Sequence, residues 1–398
     1  MSREIDVGAL LAGCADDSFD DGIRMDTELE PLAGAGGPVK PAVYEGGNYQ
    51  HDRRWASVED PEPTPIIVID NVPSQANRLE HALRVHRESL SIPEFTLDLS
   101  TLEHLPPHLP KSLSSLQFPH RNADAYLRDS ELDGEDFMKT EIGKAIFGAT
   151  AHACGPLMAW FPQALLYGFW QSHLGKNRQN TKHARAWVSE VVGWQPASTD
   201  ARVLGLKGDA LNLSTDEAVS SNPDDRTDWD IGTGGKIEGG KKDKLSEIGH
   251  GQVPFMGADA PAAAVSFARV TQRATVSFAQ LRRVGLGTGS PEADAAARAL
   301  LVALGLHAHQ LAFGRGFALR SGAELRPRAA TMTWLGPNGD EACDVDGAAT
   351  TAELLDLARK HAGSLGVPLD GWVREPTTLA PKTNLRKAIL ATWPVLDD

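Results

Sequence analysis

Ser74, Gln75, Asn77 and Arg78 are the side chains of this sequence best placed for chemistry, gathered where an apolar run gives way to a basic helix in PIIVIDNVPSQANRLEHAL (Pro65–Leu83). Ile66 to Ile69 form the β-branched run of a buried strand. Ser74 after Pro73 reads as an N-cap, with Ala76, Leu79 and Leu83 on one narrow helical arc and Asn77 and Arg78 away from it. A helix start that offers free N–H groups together with Ser, Gln, Asn and Arg suits a phosphate or a nucleic-acid backbone. The same spacing also fits an ordinary capped helix whose Arg78 faces solvent.

Other groupings carry less chemistry. Gly235–Lys242 (GKIEGGKK) has the glycines and lysine of a phosphate-binding loop, but Lys242 stands where Ser or Thr should hold magnesium. The residues before it, Asp224–Asp230, are acidic where the motif needs an apolar strand. A loop whose lysines touch nucleic acid is the better reading. His307 and His309 lie two apart, a spacing that does not share one helix face, and His152 with Cys154 has no second pair at zinc-site spacing. Ser246, Glu247 and His250 lack a nucleophile elbow. They read, like Ser189 and Glu190, as hydrogen-bonding groups at turns. No cofactor or metal is expected.

The elements that must position these residues can be read coarsely. Strands are expected at Met25–Leu32, Ile66–Ile69, Ala186–Trp194, Val265–Phe278 and Ala329–Trp334. Helices are expected from Ser74, from about Pro162, over Glu292–Phe313 and over Ala352–His361. Between the first two strands a Gly-rich loop carries Tyr44, Tyr49, His51, Arg53, Arg54 and Trp55. Aromatics among bases suit stacking and phosphate contact, and equally a loop anchored by its tryptophan. Residues 89–135 read as an irregular insertion and 195–243 as the least rigid part of the chain. The fold class is α+β.

Composition bounds the function classes. The 398 residues are 41% hydrophobic, enough for a substantial core, with a net charge of −14. Three scattered cysteines, Cys14, Cys154 and Cys343, argue against a disulfide framework and for a reducing cytoplasm. No signal peptide is expected, nor an apolar run of membrane-span length. The negative charge opposes nucleic-acid binding, but it is segregated. Residues 1–30 hold nine acids against two bases, whereas Gln171–Trp187 carries Lys176, Arg178, Lys182 and Arg185 with no acid, and Val265–Arg283 carries Arg269, Arg273, Arg282 and Arg283 with none. Such segregation permits a basic groove on an acidic body.

Five stretches in register resemble one family. Pro65–Leu83 resembles the first palm helix of the backbone subunit of CRISPR type I-U (I-G) Cascade complexes, a RAMP-superfamily protein of the Cas-seven type. Tyr167–Trp194 resembles its aromatic-rich stretch, basic loop and Ser-Glu strand, and KLSEIGHGQVP (Lys244–Pro254) its Ser-Glu-Ile-x-His-Gly turn. Val265–Arg283 resembles its strand with a Leu-Arg-Arg end, and Ala296–Leu325 its late helix and Leu-Arg-Ser strand. Together they cover roughly residues 26–328. Ala33–Val43 (AGAGGPVKPAV) departs from the family's Ser-Arg-Phe-Gln-Pro-like run, so no contact by that arginine carries over.

The resemblance implies a ferredoxin-like, RNA-recognition-motif palm whose insertions act as thumb and fingers. It implies an acidic segment over 1–24, a core over 25–335 with insertions at about 33–64, 89–155 and 195–262, and a helical extension over 336–398. Function would be non-catalytic binding of crRNA in a head-to-tail filament that presents bases to target DNA. Partners would be further copies of the chain, a fused repeat-processing subunit, a large subunit and a helicase-nuclease. RNA contacts would fall on Ser74, Gln75, Asn77, Arg78, Arg53, Arg54, Lys176, Arg178, Lys182, Arg185 and His250, with Arg282 and Arg283 as further candidates. Two alternatives stay open: an RNA endonuclease using Asp52 or Asp70, and a metabolic enzyme with an acidic surface.

Overall fold

A computed structural model describes the chain apart from residues 1–2, 45–47, 103–104, 106–108, 173–180, 199–210, 212, 214–217, 224, 226, 233–240, 251–263, 345–346 and 393–398. Lys176, Arg178 and most of the Gly235–Lys242 loop therefore lie outside the described residues.

The main sheet is built from β1 (Gly22–Pro31), β2 (Gln50–Arg54), β3 (Thr64–Asp70), β4 (Trp187–Pro196), β5 (Phe267–Ser277), β6 (Glu324–Gly336) and β7 (Gly339–Asp344). Its spatial order is β7-β6-β1-β5-β4-β3-β2, antiparallel throughout, with the two-residue strands Arg3–Glu4 and Phe317–Ala318 added beside β7 and β6. Helix α2 (Val72–Val85) precedes β4, and α3 (Pro291–Phe313) lies between β5 and β6; α1 (Val7–Cys14) comes before β1 and α4 (Gly347–Ser364) after β7. The inner order β6-β1-β5-β4, with α2 and α3 as its helices, is the strand–helix–strand–strand–helix–strand connectivity of a ferredoxin-like α+β core. β3 and β2 extend one edge of it and β7 the other.

Local chemistry explains these elements. β3 is covered on both faces, Ile66 and Val68 packing with Val192, and Ile67 and Ile69 with Val191 and Phe267. Such a strand reads as an unbroken β-branched run rather than an alternating one. α3 is capped by Ser290, whose hydroxyl accepts the Ala293 N–H at 3.2 Å, starts with Pro291 and carries Glu292 and Asp294 in its first turn. It is apolar on every side because the sheet, α1, α2 and α4 surround it. By length and composition alone α3 would also cross a membrane, contrary to the sequence expectation, but most of it is buried inside the protein. At its middle, a Cβ on Gly305 would meet the Trp187 ring at 2.7 Å, so the glycine is what lets β4 close onto the helix.

Three expectations are corrected. The N-cap of α2 is Asn71, whose Oδ1 accepts the Ser74 N–H at 3.2 Å; Ser74 sits inside the first turn. The 89–135 insertion is not irregular. Its strands Phe95–Asp98, Ser112–Ser114 and Ser130–Leu132 form a second sheet, joined at its centre by Thr377–Pro381 from the C-terminal region, which pairs parallel to Phe95–Asp98. Within the acidic, Gly-rich stretch, Ala218–Ser221, Trp229–Ile231 and Lys241–Lys244 form a small antiparallel sheet.

His307 is buried on α3 and shares a 2.9 Å hydrogen bond with the Thr351 hydroxyl of α4, while the buried Nδ1 of His309, beside the Trp187 and Phe313 rings, has no hydrogen-bond partner among the described residues. Burial pushes both imidazoles down to about 4. The unfolded chain takes up protons near the ordinary value of about 6.5, which the folded state refuses until much lower pH. The urea midpoint is therefore expected to be flat above about pH 6.5 and to fall as pH drops towards 4. His309→Phe, which keeps the ring contacts and removes the titrating group, should flatten part of that slope.

Candidate nucleic-acid interface

The start of α2 is organised by a carboxylate that the solvent never sees. Asp70, the last residue of β3, is fully buried and accepts hydrogen bonds from Ser74 Oγ at 2.9 Å, Gln75 Nε2 at 2.6 Å, Arg78 Nε at 2.8 Å and Arg320 Nη2 at 3.0 Å. Arg320 also donates to the carbonyls of Lys40 and Ile69, and Arg78 to that of Leu319. Gln75 is fully buried too, and its Oε1 accepts from Ser189 Oγ at 3.0 Å and Gln272 Nε2 at 2.7 Å. One polar chain thus ties β3, α2, β4, β5 and the turn before β6. Gln75 is corrected from a phosphate contact to a core group. Ser74 and Arg78 keep partial exposure but spend their strongest bonds on Asp70, while Asn77 is exposed.

Two clefts flank this helix start. The larger, about 850 Å³, has Val72 of α2 at one side and is otherwise lined by the 120–128 region and by a hairpin, Phe169–Gln171 paired with Thr181–His183. The hairpin base is fixed. Gln171 Nε2 donates to the Phe147 carbonyl at 3.0 Å, the His183 ring nitrogen lies 3.1 Å from the Leu165 carbonyl, and the Phe169 and His183 rings stack. Gly168 enters it at φ +78°, where a Cβ would stand 2.8 Å from the His183 carbonyl oxygen. Period-two alternation then turns Trp170 (64% exposed) and its cross-strand partner Lys182 outward.

Below them Glu80 and Arg121 form a buried bidentate pair at 2.7 and 2.8 Å, and Arg121 also donates to Gly168 O. Burial pushes the Glu80 carboxyl up against the pull of that guanidinium. Arg185 is different. Among the described residues no carboxylate forms an ion pair with it or with Lys182, and desolvation, then the nearby Arg121 cation, pulls its proton affinity down. A cation in that position is relieved by an incoming anion. Arg283, exposed nearby, adds its field to the burial that holds down His183.

Residues 23–197, from β1 through β4, match the family model described as CRISPR-associated protein GSU0053. Over that stretch the chain is similar to a CRISPR-associated protein family. The match is somewhat less than half of the chain, yet it holds Asp70, Gln75, Arg78 and the whole lining of the larger cleft, while Arg320 lies beyond it. No curated protein matches the chain.

Other expected contacts fall elsewhere. On the open sheet face Arg273 pairs with Asp26 at 2.6 Å, and Arg269 lies over the Trp194 ring at 5.1 Å. The apparently acid-free segment is therefore met by an acid of β1. Arg54 is paired with Glu190 and Asp52, and Arg53 donates to Pro63 O at 2.7 Å, both on the edge strand β2. Arg282 donates to the carbonyls of Gly13 and Asp20, holding α1 and its following loop. His250 packs on Trp229 far from the hairpin in sequence, after a turn closed by Glu247 on the Lys244 N–H at 2.8 Å. Among the described residues no cluster of His, Cys, Asp or Glu could hold a metal ion.

Sequence reasoning missed Asp70 as an organising group, and with it Arg320, Glu80 and Arg121. Asp70→Ala would leave Arg78 and Arg320 around a buried void, an expected loss of about 3–5 kcal/mol. Ser189→Ala removes one neutral hydrogen bond, worth about 1 kcal/mol. Urea denaturation with an unchanged m-value measures both.

Proposed function

We propose that this chain is a non-catalytic, cytoplasmic backbone subunit that holds a CRISPR guide RNA in a type I-G (I-U) Cascade complex. The observation that carries the reading is the larger cleft: an exposed Trp170 opposite Lys182, with Arg185 beside them and neither cation in an ion pair among the described residues, at the mouth of a rigidly anchored hairpin. An aromatic face for a base and two free cations for phosphates are what single-stranded nucleic acid needs, and neither reads base identity. Sequence reading is then left to the guide, whose base edges pair with target DNA.

In this reading the ferredoxin-like sheet is a palm of RNA-recognition-motif type, and the hairpin stands beside the RNA, with Lys176 and Arg178 lying in sequence between its two strands. Most arginines of the open sheet face are met by Asp26, Glu30 or Glu190, with Arg269 on the Trp194 ring the exception, which makes that face the poorer RNA platform. Copies of the chain would stack along the crRNA, alongside a repeat-processing subunit, a large subunit and a helicase-nuclease. The net charge of −14 is compatible with this, since the stretch Gln171–Trp187 that contains the hairpin's second strand carries no acid.

The test is co-expression of the chain with its CRISPR repeats, followed by measurement of retained RNA. The Lys182→Ala/Arg185→Ala double variant should keep its circular dichroism spectrum, lose RNA at least about tenfold, and lower the salt slope by about 1.4, the value for two phosphate contacts on a single strand. Trp170→Ala should cost about 1–3 kcal/mol of binding with little change in that slope. Retention and salt dependence equal to those of the unmodified chain would remove the cleft as the RNA site.

A further inference from the structure

The second cleft beside α2, about 650 Å³, is of another character. Its floor is apolar, with Val85, Leu311 and Phe317, and its rim carries Arg78, His81 and Arg315, with no acidic residue in the lining. Arg78 and Arg320 share the single Asp70 carboxylate, so that group keeps a net positive charge beside the cleft. Arg315 is exposed and makes no ion pair among the described residues. A greasy floor under a cationic rim fits an acidic peptide segment with one large apolar side chain better than it fits RNA.

The chain carries such a segment. Between α1 and β1 the loop Ala15–Asp21 holds Asp16, Asp17, Asp20 and Asp21 around Phe19, which is 78% exposed. The loop is braced rather than loose. Asp16 pairs with Arg298 at 2.6 Å, the Asp20 N–H bonds Ser18 Oγ at 3.2 Å, and Arg282 holds the Gly13 and Asp20 carbonyls. A fixed loop that offers one phenylalanine among aspartates is preorganised, and its charge and shape complement a cationic cleft with an apolar floor.

Loop and cleft lie at opposite ends of the same elements. Along α3, Arg298 at the loop and Phe313 at the cleft are about 22 Å apart at 1.5 Å per residue. β1 starts at the loop, and its far end lies beside Leu325, the partner of Phe317 in the neighbouring strand. The loop therefore cannot fold back into its own cleft, and a contact that is not reciprocated leaves one free loop and one free cleft on a pair of copies.

We infer that the Asp16–Asp21 loop of one copy docks Phe19 into the α2–α3 cleft of the next, a heterologous contact that propagates head to tail. The inference rests on the guide-RNA backbone reading and names the surfaces that would join its copies.

The test uses full-length chain co-expressed with CRISPR repeats, with particle mass and RNA content measured together. The Phe19→Ala and Arg315→Glu variants should each fall from multi-copy particles to single copies while keeping their spectra. Mixed, they should give pairs and nothing larger, because only one intact loop and one intact cleft remain. Independently, a Phe19→Cys/Ala318→Cys variant should form a covalent ladder on oxidation, since Cys14, Cys154 and Cys343 are buried. Multi-copy particles from both single variants, or an absent ladder, would overturn the contact. So would Arg315→Glu stripping RNA while Phe19→Ala changes nothing, which would make the cleft an RNA site. Monomeric, RNA-free unmodified chain would instead sink the backbone reading itself, and this contact with it.

Discussion

Burying the Asp70 carboxylate is the constraint around which the fold is arranged. A buried carboxylate needs several donors at once, and it finds them on two segments far apart in sequence, the first two turns of α2 and Arg320 before β6, while Gln75, one of those donors, is held in turn by Ser189 of β4 and Gln272 of β5. A buried ion pair seldom adds net stability over a packed apolar core, but breaking one half is expensive. Its service here is registry. α2 can sit on the sheet in only one position, because any slide along its axis would strand Gln75 and both arginines.

That fixed seating decides what the two sides of α2 present. On one side Glu80, a turn further along the helix, receives Arg121, which also holds Gly168 and so anchors the hairpin carrying Trp170 and Lys182. On the other, α2 and the end of α3 leave a cleft whose cations and apolar floor face outward together. The same helix thus separates a surface suited to a polyanion from one suited to an acidic peptide.

What the sequence made legible was what depends on neighbours in the chain. The β-branched run of β3, the Ala- and Leu-rich α3 with its Ser-Pro start, and the class of the fold all follow from local composition, and each lies within a few residues of where it was expected. What it concealed depends on partners brought from afar. Gln75 looks like a surface residue because polar groups at helix starts usually face water; only Asp70 and the strand residues Ser189 and Gln272 make its burial tolerable. Arg273 looks free because its acid, Asp26, lies on another strand. Trp170 and Lys182 were both noticed in an aromatic and basic stretch, but their opposition needed the hairpin register, which an intervening basic loop hides.

The central strand of the second sheet, Thr377–Pro381, comes from the C-terminal region and lies between segments made far earlier. On the ribosome, Phe95–Asp98 and Ser130–Leu132 must wait for it, some tens of seconds at ordinary rates of synthesis. Until then both keep an open edge, the kind of surface that pairs with wrong partners. The insertion is therefore the part of this protein most exposed to misfolding during translation and most in need of a chaperone, and its 120–128 region lines the very cleft that would hold RNA.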